Sequence, residues 1–401
     1  MHSHLVGCSD CGLVQVLPPV SAGAIAECGR CGHGLAQPAG GLDAPLAFSA
    51  TALLLLLPTA LLPLMSLIAF GVPRRSWLPT GVEALWNDGF GPLATLVFLF
   101  SVAVPFVYLA LMVWVLGALR FGFAVPLGRP FRWAAGLRPW AMIEVYLIGC
   151  CVAYSRLEAI GTVHVNTGGW CLIAATCATL LAAISLDERA VWDALPYRAQ
   201  PASGRRSISC GACALLIDAA REDVACPRCA ATLHRRKPDA MRRTLALVIA
   251  GFLLYLPANL LPVLSIERFG HEDPNTIIGG VHELITSGLW PLAVIVFTAS
   301  VLVPLMKLFG LSLMLVLTRW RSRRWLIGRT RIYRFIDFIG RWSNIDLFMI
   351  SILVAMVQFG ALTRVRPEAG ALAFAAVVVI TMIASRCFDP RVMWDEAGSP
   401  T

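Results

Sequence analysis

The segment Pro58-Thr-Ala-Leu-Leu-Pro63 returns 199 positions later as Pro257-Ala-Asn-Leu-Leu-Pro262. The same spacing relates residues further along each half: Gly89, Pro92, Leu93, Ser101 and Pro105 match Gly288, Pro291, Leu292, Ser300 and Pro304. After a gain of three residues, Asp187-Glu-Arg-Ala-Val-Trp192 matches Asp389-Pro-Arg-Val-Met-Trp394. Agreement over such a length predicts an internal duplication, in which each half forms the same structural unit.

The composition indicates that lipid is the main solvent of both halves. Of the 401 residues, 58% are hydrophobic and 14% are charged, and the mean hydropathy is +0.72. Runs of the length needed to cross a hydrocarbon core of about 30 Å can be found eight times. They lie near 47–70, 92–118, 140–161, 169–186, 244–266, 291–317, 344–363 and 369–386. The chain is therefore predicted to be an all-α polytopic membrane protein, built as a tandem duplication of a four-helix transmembrane module.

The distribution of Lys and Arg predicts the orientation of these helices. With eight spans, five segments on one side of the membrane hold 26 of the 33 basic residues: 1–46, 119–139, 187–243, 318–341 and 386–401. Basic residues in short loops are retained in the cytoplasm, so both termini are expected there. The first 46 residues have no apolar core, and no cleaved signal is expected. Topology thus explains the formal charge of +9, and nucleic-acid binding is not expected.

Each half opens with two CxxC pairs, which are Cys8, Cys11, Cys28 and Cys31 in the first and Cys210, Cys213, Cys226 and Cys229 in the second. Two CxxC turns present four thiolates, the donor set of a closed structural zinc site. Sixteen residues separate the pairs in the first half and twelve in the second. Both gaps suit a small zinc ribbon. A disulfide pair and a thioredoxin-like redox motif are the competing interpretations, but a reducing cytosol argues against stable disulfides.

The repeat and the cysteines together predict four domains. An N-terminal zinc ribbon at 1–46 precedes the first four-helix transmembrane module at 47–195. A second ribbon with basic linkers at 196–243 precedes the second module, at 244–401, which ends in a short cytoplasmic tail. Both ribbons are expected on the cytoplasmic side. Because each half contains an even number of spans, the two modules are parallel, which disfavours an inverted-repeat transporter fold.

Ionisable side chains inside the spans are functional candidates because each costs roughly 2.5–3.5 kcal/mol on insertion. Lys307 is expected roughly 15 Å deep, with Ser300 on the same helix face. Asp346 lies about one turn inside its own helix, with Ser343 on the same face. A Lys307–Asp346 pair is the resulting hypothesis. The alternative is an ion pair that only fixes helix register.

The first module has a poorer set of polar residues. Glu144 keeps the carboxylate, but Tyr108 stands where the second module has Lys307, and Ala60 stands where it has Asn259. Asn259 lies between two prolines, each of which leaves a backbone carbonyl group of the helix without its usual hydrogen bond. It is interpreted either as holding a kinked helix or as lining a polar cavity. Thr381 in the last span is a weaker candidate, because Thr often bonds its own helix.

In combination, these motifs resemble the paraquat-inducible protein A family of bacterial inner-membrane proteins. The resemblance rests on the repeated CxxC pairs and on four further motifs: Leu-Pro257-Ala-Asn259-Leu-Leu-Pro262-Val, Ser300-x-x-x-Pro304-x-x-Lys307, Trp342-Ser343-x-x-Asp346 and Asp389-Pro-Arg391-x-x-Trp394. It covers nearly the whole chain. It implies an inner-membrane partner of periplasmic MCE-domain proteins, which form tunnels for lipids, and hence a protein that loads membrane lipids into such a tunnel or takes them from it.

The same resemblance maps the family's central polar cluster onto Ser300, Lys307, Ser343, Asp346 and Thr381, with Glu144 in the first module. No P-loop motif GxxxxGK[ST] occurs in the chain, so any driving force would be a gradient, such as protons, or none. Because Tyr108 departs from the pattern, one active module and one structural module are expected.

Two other function classes remain open on the sequence. One is a thiol-redox membrane protein that uses the CxxC cysteines, and the other is a zinc-ribbon membrane scaffold for a cytosolic partner. A buried Lys307 argues against a mere anchor. No catalytic triad, HExxH motif or carboxylate pair is present in the sequence, and the protein is not expected to be an enzyme.

Overall fold

The computed structural model of the protein describes residues 5–17, 24–36, 41–69, 71–123, 125–158, 160–195, 207–218, 223–268, 271–358 and 363–398. The basic linkers expected around the second ribbon lie partly outside the described residues, at 196–206 and 219–222.

The first ribbon consists of two small antiparallel hairpins, with a CxxC pair in each turn. Its strands are β1 (Leu5–Gly7), β2 (Val14–Val16), β3 (Ala26–Glu27) and β4 (Gly34–Ala36). Each turn closes at a glycine with a left-handed backbone, φ +74° at Gly12 and +65° at Gly32. An L side chain is strained in that region, so glycine is favoured after each CxxC pair.

The first module follows the first ribbon. Its elements are α1 (Asp43–Leu61), β5 (Met65–Ala69), β6 (Val72–Ser76), α2 (Thr80–Asn87), α3 (Gly91–Phe98), α4 (Val104–Phe121), α5 (Gly128–Leu137), α6 (Ile143–Glu158), β7 (Thr162–Val165), α7 (Thr167–Ser185) and α8 (Glu188–Ala194). A π-helical segment, Leu99–Ala103, joins α3 to α4. A 3₁₀ turn, Arg138–Trp140, joins α5 to α6.

The second half repeats this order. The second ribbon contains β8 (Ser207–Ser209) and β9 (Leu216–Asp218). The second module contains α9 (Ala240–Leu260), β10 (Leu264–Arg268), β11 (His271–Asn275), α10 (Ile277–Thr286), α11 (Trp290–Phe297), α12 (Val303–Arg319), α13 (Leu326–Ile339), α14 (Ile345–Met356), β12 (Thr363–Pro367), α15 (Ala369–Cys387) and α16 (Pro390–Glu396). A π-helical segment, Thr298–Leu302, and a 3₁₀ turn, Gly340–Asn344, lie at the matching places.

Eight helices of the described chain are long and apolar enough to cross a membrane, which confirms the predicted fold class. They are Asp43–Leu61, Gly91–Phe121, Gly128–Glu158, Thr167–Ser185, Ala240–Leu260, Trp290–Arg319, Leu326–Met356 and Ala369–Cys387. The third and seventh begin well before the predicted residues 140 and 344. The additional residues form α5 and α13, which are amphipathic helices, and a search for continuous apolar runs does not detect such helices.

The predicted ends of the first and fifth spans were wrong, because each apolar run continues into a short strand, and the seventh span ends at Met356 and not near residue 363. Leu62 and Leu261 are extended, with ψ of 152° and 149°, and they end α1 and α9. Each precedes a proline, which disfavours the helical conformation. The chain then enters two three-stranded antiparallel sheets, ordered β6-β5-β7 and β11-β10-β12. These sheets close the modules at the end opposite the ribbons, called here the sheet side and the ribbon side.

The modules contact each other through matching elements. In each one, the first span packs against the last, α1 against α7 and α9 against α15. Between modules, α6 packs against α14, where the rings of Tyr146 and Phe348 lie 5.3 Å apart. Gly149 permits this approach, because a Cβ there would lie 2.9 Å from the Cβ of Phe348. The two halves therefore share one continuous apolar core.

Candidate functional site

The eight predicted cysteine ligands form two buried clusters that could each hold a metal ion. Within each cluster the four sulfur atoms lie within 4.8 Å of one another. Facing sulfur atoms are 3.5 Å apart for Cys8 and Cys31 and 3.6 Å apart for Cys210 and Cys229. A disulfide needs about 2.05 Å, and the cysteines are free. Four thiols at these separations fit a tetrahedral ion with bonds of about 2.3 Å, which is compatible with zinc.

The first ribbon docks on the second module. Arg334 in α13 donates through Nε to Asp10 Oδ2 (2.6 Å) and through Nη2 to Cys31 Sγ (3.3 Å). Trp394 of α16 is buried in the same cluster as the four cysteines of that ribbon. An exposed ion pair contributes little, but Asp10 is buried, so this contact is well placed to hold the ribbon.

The second ribbon docks on the first module in the matching way. A Cβ on Gly128, at the start of α5, would lie 1.8 Å from the carbonyl oxygen of Arg228, next to the ligand Cys229. Arg228 also approaches Asp193 of α8 at 3.4 Å. The two ribbons meet each other as well, since a Cβ on Gly7 would lie 3.0 Å from Ser209 Cβ. The ribbons and modules are thus joined crosswise.

Lys307 is completely buried in the second module, and its ammonium group has three acceptors. Nζ donates to the carbonyl oxygen of Gly340 (2.8 Å), to Ser343 Oγ (3.2 Å) and to Thr381 Oγ1 (3.3 Å). An ammonium group has three N–H donors, so the set is complete. Gly340 belongs to the 3₁₀ turn before α14, and this turn brings α12, α14 and α15 together around one cation.

Asp346 lies in the same interior with a different partner. It is 4% exposed, and Ser300 Oγ donates to its Oδ2. Ser300 is in the π-helical segment Thr298–Leu302, and such segments often occur at functional sites because they redirect a side chain. The hypothesis of a direct Lys307–Asp346 ion pair is wrong: each group is bonded to neutral neighbours. Ser300, which bonds Asp346, precedes Lys307 by about two helical turns, so the two charged groups lie at different levels of the module.

The remaining predicted residues lie apart from this cluster. Asn259 donates through Nδ2 to the backbone oxygen of Tyr255, 2.9 Å away in its own helix, and its Oδ1 is buried without a partner among the described residues. In the first module Glu144 is half-buried in the first turn of α6, and Tyr108 is buried. Ser101, the counterpart of Ser300, bonds the oxygen of Val97 in its own helix (2.7 Å).

Sequence reasoning missed Arg156, a cation near the sheet-side end of α6. A Cβ on Gly280 in α10 would lie 3.5 Å from Arg156 Nη2. The guanidinium of Arg156 therefore lies between the two modules. A lone Arg in an apolar run is the same signal that singled out Lys307. It was overlooked because its partners lie in the other half of the chain. Arg334 was missed for the same reason.

The exit segments of the two modules cap their short helices in matching ways. Asp187 accepts from the backbone nitrogens of Arg189 (3.0 Å) and Ala190 (3.3 Å), and Asp389 accepts from that of Arg391 (3.1 Å). Arg391 also binds both oxygens of Asp389, at 2.9 and 2.8 Å. Burial alone would raise the pKa of Asp389, but these hydrogen bonds and the charge of Arg391 outweigh it, so the pKa is lowered.

Most of the chain matches one known protein family. The family model described as Paraquat-inducible protein A matches residues 42–196 and 241–398. Intermembrane transport protein PqiA of Escherichia coli (strain K12) is 33% identical over 407 residues, which cover 97% of this chain and 95% of that protein. A probable intermembrane transport protein of Haemophilus influenzae is 27% identical, over 97% of this chain and 95% of its own length.

A third relative, lipophilic envelope-spanning tunnel protein A of Escherichia coli (strain K12), is 27% identical over 398 residues, 98% of this chain and 92% of that protein. No solved structure matches the chain. The match of the family model is split into two parts, which agree with the two transmembrane modules and leave out the ribbons.

Proposed function

The chain belongs to the paraquat-inducible protein A family, and from this premise we propose that it is the inner-membrane component of an intermembrane lipid-transport system. In this role it passes lipids to or from a periplasm-spanning MCE protein. The names of its relatives, intermembrane transport protein and envelope-spanning tunnel protein, support transport between membranes. The proposal treats the protein as a transporter and not as an enzyme.

The observation in this chain that supports the proposal is the fully buried Lys307 of α12, whose three acceptors come from the 3₁₀ turn before α14 and from α15. An ammonium group inside a membrane is expensive, so a protein that only anchors ribbons has no use for it. We propose that proton gain and loss in the cluster of Lys307, Ser343, Thr381, Ser300 and Asp346 drives movement of α12, α14 and α15. The first module, with Tyr108 at the matching place, is structural.

The proposed orientation places the ribbon side in the cytoplasm and the sheet side in the periplasm. It is supported by the basic residues on the ribbon side. The sheets β6-β5-β7 and β11-β10-β12 would then face the MCE partner. Each four-cysteine cluster would hold one structural zinc ion, which fixes the fold of its ribbon. Zinc would supply no catalysis there, because all four ligands come from the protein.

The crosswise docking of the ribbons on the modules weighs against the scaffold alternative. This docking ties the ribbons to the membrane domain and leaves less ribbon surface free for a cytosolic partner. It therefore favours an internal role for the ribbons.

The proposed function is tested by mild-detergent purification from native membranes, followed by mass spectrometry of lipids and proteins. We expect phospholipid and an MCE-domain protein to co-purify. An unrelated inner-membrane protein with eight spans, purified in the same way, controls for the lipid that any membrane protein retains in detergent. Recovery of the intact protein with lipid no higher than this control, and with no MCE-domain protein, would contradict the proposal.

A further inference from the structure

A small pocket between the two modules lies next to Asp346 and opens on the sheet side. It has a volume of about 30 Å³ and is lined by residues of α6, α10, α14 and the β10–β11 sheet, among them Arg156, Asn275, Thr276, Gly280, Asp346 and Ile350. Asn275, Thr276 and Gly280 are partly exposed, whereas Asp346 and Ile350 are buried. The pocket therefore runs from a polar mouth to the buried carboxylate.

Two polar atoms of the pocket-lining residues lack partners. Arg156 Nε and Asp346 Oδ1 are buried, and neither has a hydrogen-bond partner among the described residues. The other carboxylate oxygen, Oδ2, is engaged by Ser300. Buried polar atoms are nearly always satisfied by protein or by ordered water. The lining also includes apolar residues such as Val263, Val296 and Met349, but an unpartnered donor and an unpartnered acceptor beside the same pocket indicate a site for water.

The size of the pocket agrees with this interpretation. One buried water needs about 10–15 Å³ of such volume and several polar partners, so there is room for about two. The pocket is too small for a lipid headgroup. Its charged neighbours are Arg156 from α6, Glu283 from α10 and Asp346 from α14, and Glu283 Oε2 lies 3.5 Å from Asn275 Nδ2 at the mouth. Polar groups thus continue from the mouth to the carboxylate.

We propose that this pocket is a hydrated proton-access site, through which water on the sheet side reaches Asp346 between the two modules. A hydrated proton transfers H⁺ to Asp346 Oδ1, which gives the neutral carboxylic acid and leaves a neutral water behind. Arg156 is a positioning residue: it belongs to the first module and orients water toward the carboxylate. The inference deepens the proposed function, on which it rests for the role of Asp346 in proton exchange and for the assignment of the sheet side to the periplasm.

The test is infrared spectroscopy of the full-length protein in oriented, sealed proteoliposomes, acidified on one side at a time. The carbonyl band of protonated Asp346 is identified by its loss in Asp346→Asn. We expect the band to form when the sheet side is acidified and not when the ribbon side is. Lipid transfer is not needed in this assay, so its outcome is independent of whether the protein moves lipid.

Matched variants test the route itself. Gly280→Leu fills the pocket, since a Cβ there already points at Arg156, and should slow band formation by roughly tenfold. Ile278→Phe adds bulk on the exposed face of the same helix and should leave it unchanged. Arg156→Lys should retain sheet-side access, and Arg156→Met should slow it. If the Leu variant fails to fold, Gly280→Ala, whose methyl group makes only an ordinary contact with Arg156 and takes up part of the pocket, should slow band formation by a smaller factor than Leu, and an unchanged rate would contradict the route.

Two other results would overturn the proposal. One is a band that forms equally fast from the ribbon side. The other is a folded Gly280→Leu variant that protonates as fast as the unchanged protein.

Discussion

The residues that hold the ribbons in place act through very close contacts, and Gly128 is the clearest case. A Cβ there would overlap the carbonyl oxygen of Arg228, a backbone atom that cannot move aside without disturbing the ligand Cys229. Alanine would therefore separate the second ribbon from α5, although it favours helix. Close backbone approach, and not flexibility, explains why glycine stands there.

We predict that Gly128→Ala lowers the apparent melting temperature and releases metal from the second ribbon. The control is Gly136→Ala in the same helix, where a Cβ meets nothing within 4 Å. That change should be neutral or should stabilise by about 0.5–1 kcal/mol, the helix preference of Ala over Gly. Thermal scans with metal analysis measure both. Equal behaviour of the two variants would show that the contact at Gly128 is unimportant.

A second residue-scale prediction concerns Asp389. Its pKa is lowered in the folded protein, so its stabilising effect is present above the unfolded pKa of about 3.9 and is lost as the pH falls through the folded pKa. The difference in melting temperature between the unchanged protein and Asp389→Asn should be constant at neutral pH and should shrink toward zero in acid. Acid loss of metal affects both proteins alike. A difference that does not vary with pH would rule out this linkage.

At the scale of elements, the duplication explains which parts of the fold could be predicted. The eight spans and the paired cysteines followed from hydropathy and spacing alone, because both are local patterns. The short strands after α1 and α9 did not, since apolar residues of a strand extend the same run as the helix before them. Pro63 and Pro262 could have indicated where the helices end, because a residue before proline disfavours the helical conformation. Leu62 and Leu261 are indeed extended.

The site was predictable to the level of its residues but not of its pairings. The deep Lys307 and Asp346 stood out as charges in apolar helices. Their partners depend on the 3₁₀ turn at Gly340 and on the π-helical segment that turns Ser300 toward Asp346. Neither irregularity has a periodic signature in the sequence. Contacts between halves, such as those of Arg156 and Arg334, also required the tertiary structure.

The docking of the first ribbon on α13 gives an element-scale prediction. Arg334 bonds Asp10 and the backbone oxygen of Cys31, so Arg334→Ala should increase hydrogen exchange in β1–β4 with little effect on β8 and β9. Arg331→Ala, an exposed residue of the same helix, is the control and should change neither ribbon. An equal increase in both ribbons would mean that they unfold together.

At the scale of the whole molecule, the crosswise arrangement links the two ribbons to the two transmembrane modules. α13 carries Arg334 against the first ribbon, and Gly340 directly after its end accepts from Lys307. Movement of the buried cluster around Lys307 would therefore shift α13 and with it the first ribbon. The second ribbon rests on the first module, where Tyr108 replaces the cation. The duplicated architecture therefore supports one module with the buried Lys307 and one with Tyr108 at the matching place.

The direct measurement of the central claim is transfer of labelled phospholipid between proteoliposomes that contain the protein and a purified MCE tunnel. We expect Lys307→Met to abolish transfer while the protein retains its metal and its elution volume. The matching change in the first module, Tyr108→Phe, should leave transfer unchanged. Undiminished transfer by a folded Lys307→Met variant, or equal loss in both variants, would contradict the account that the second module carries the transport.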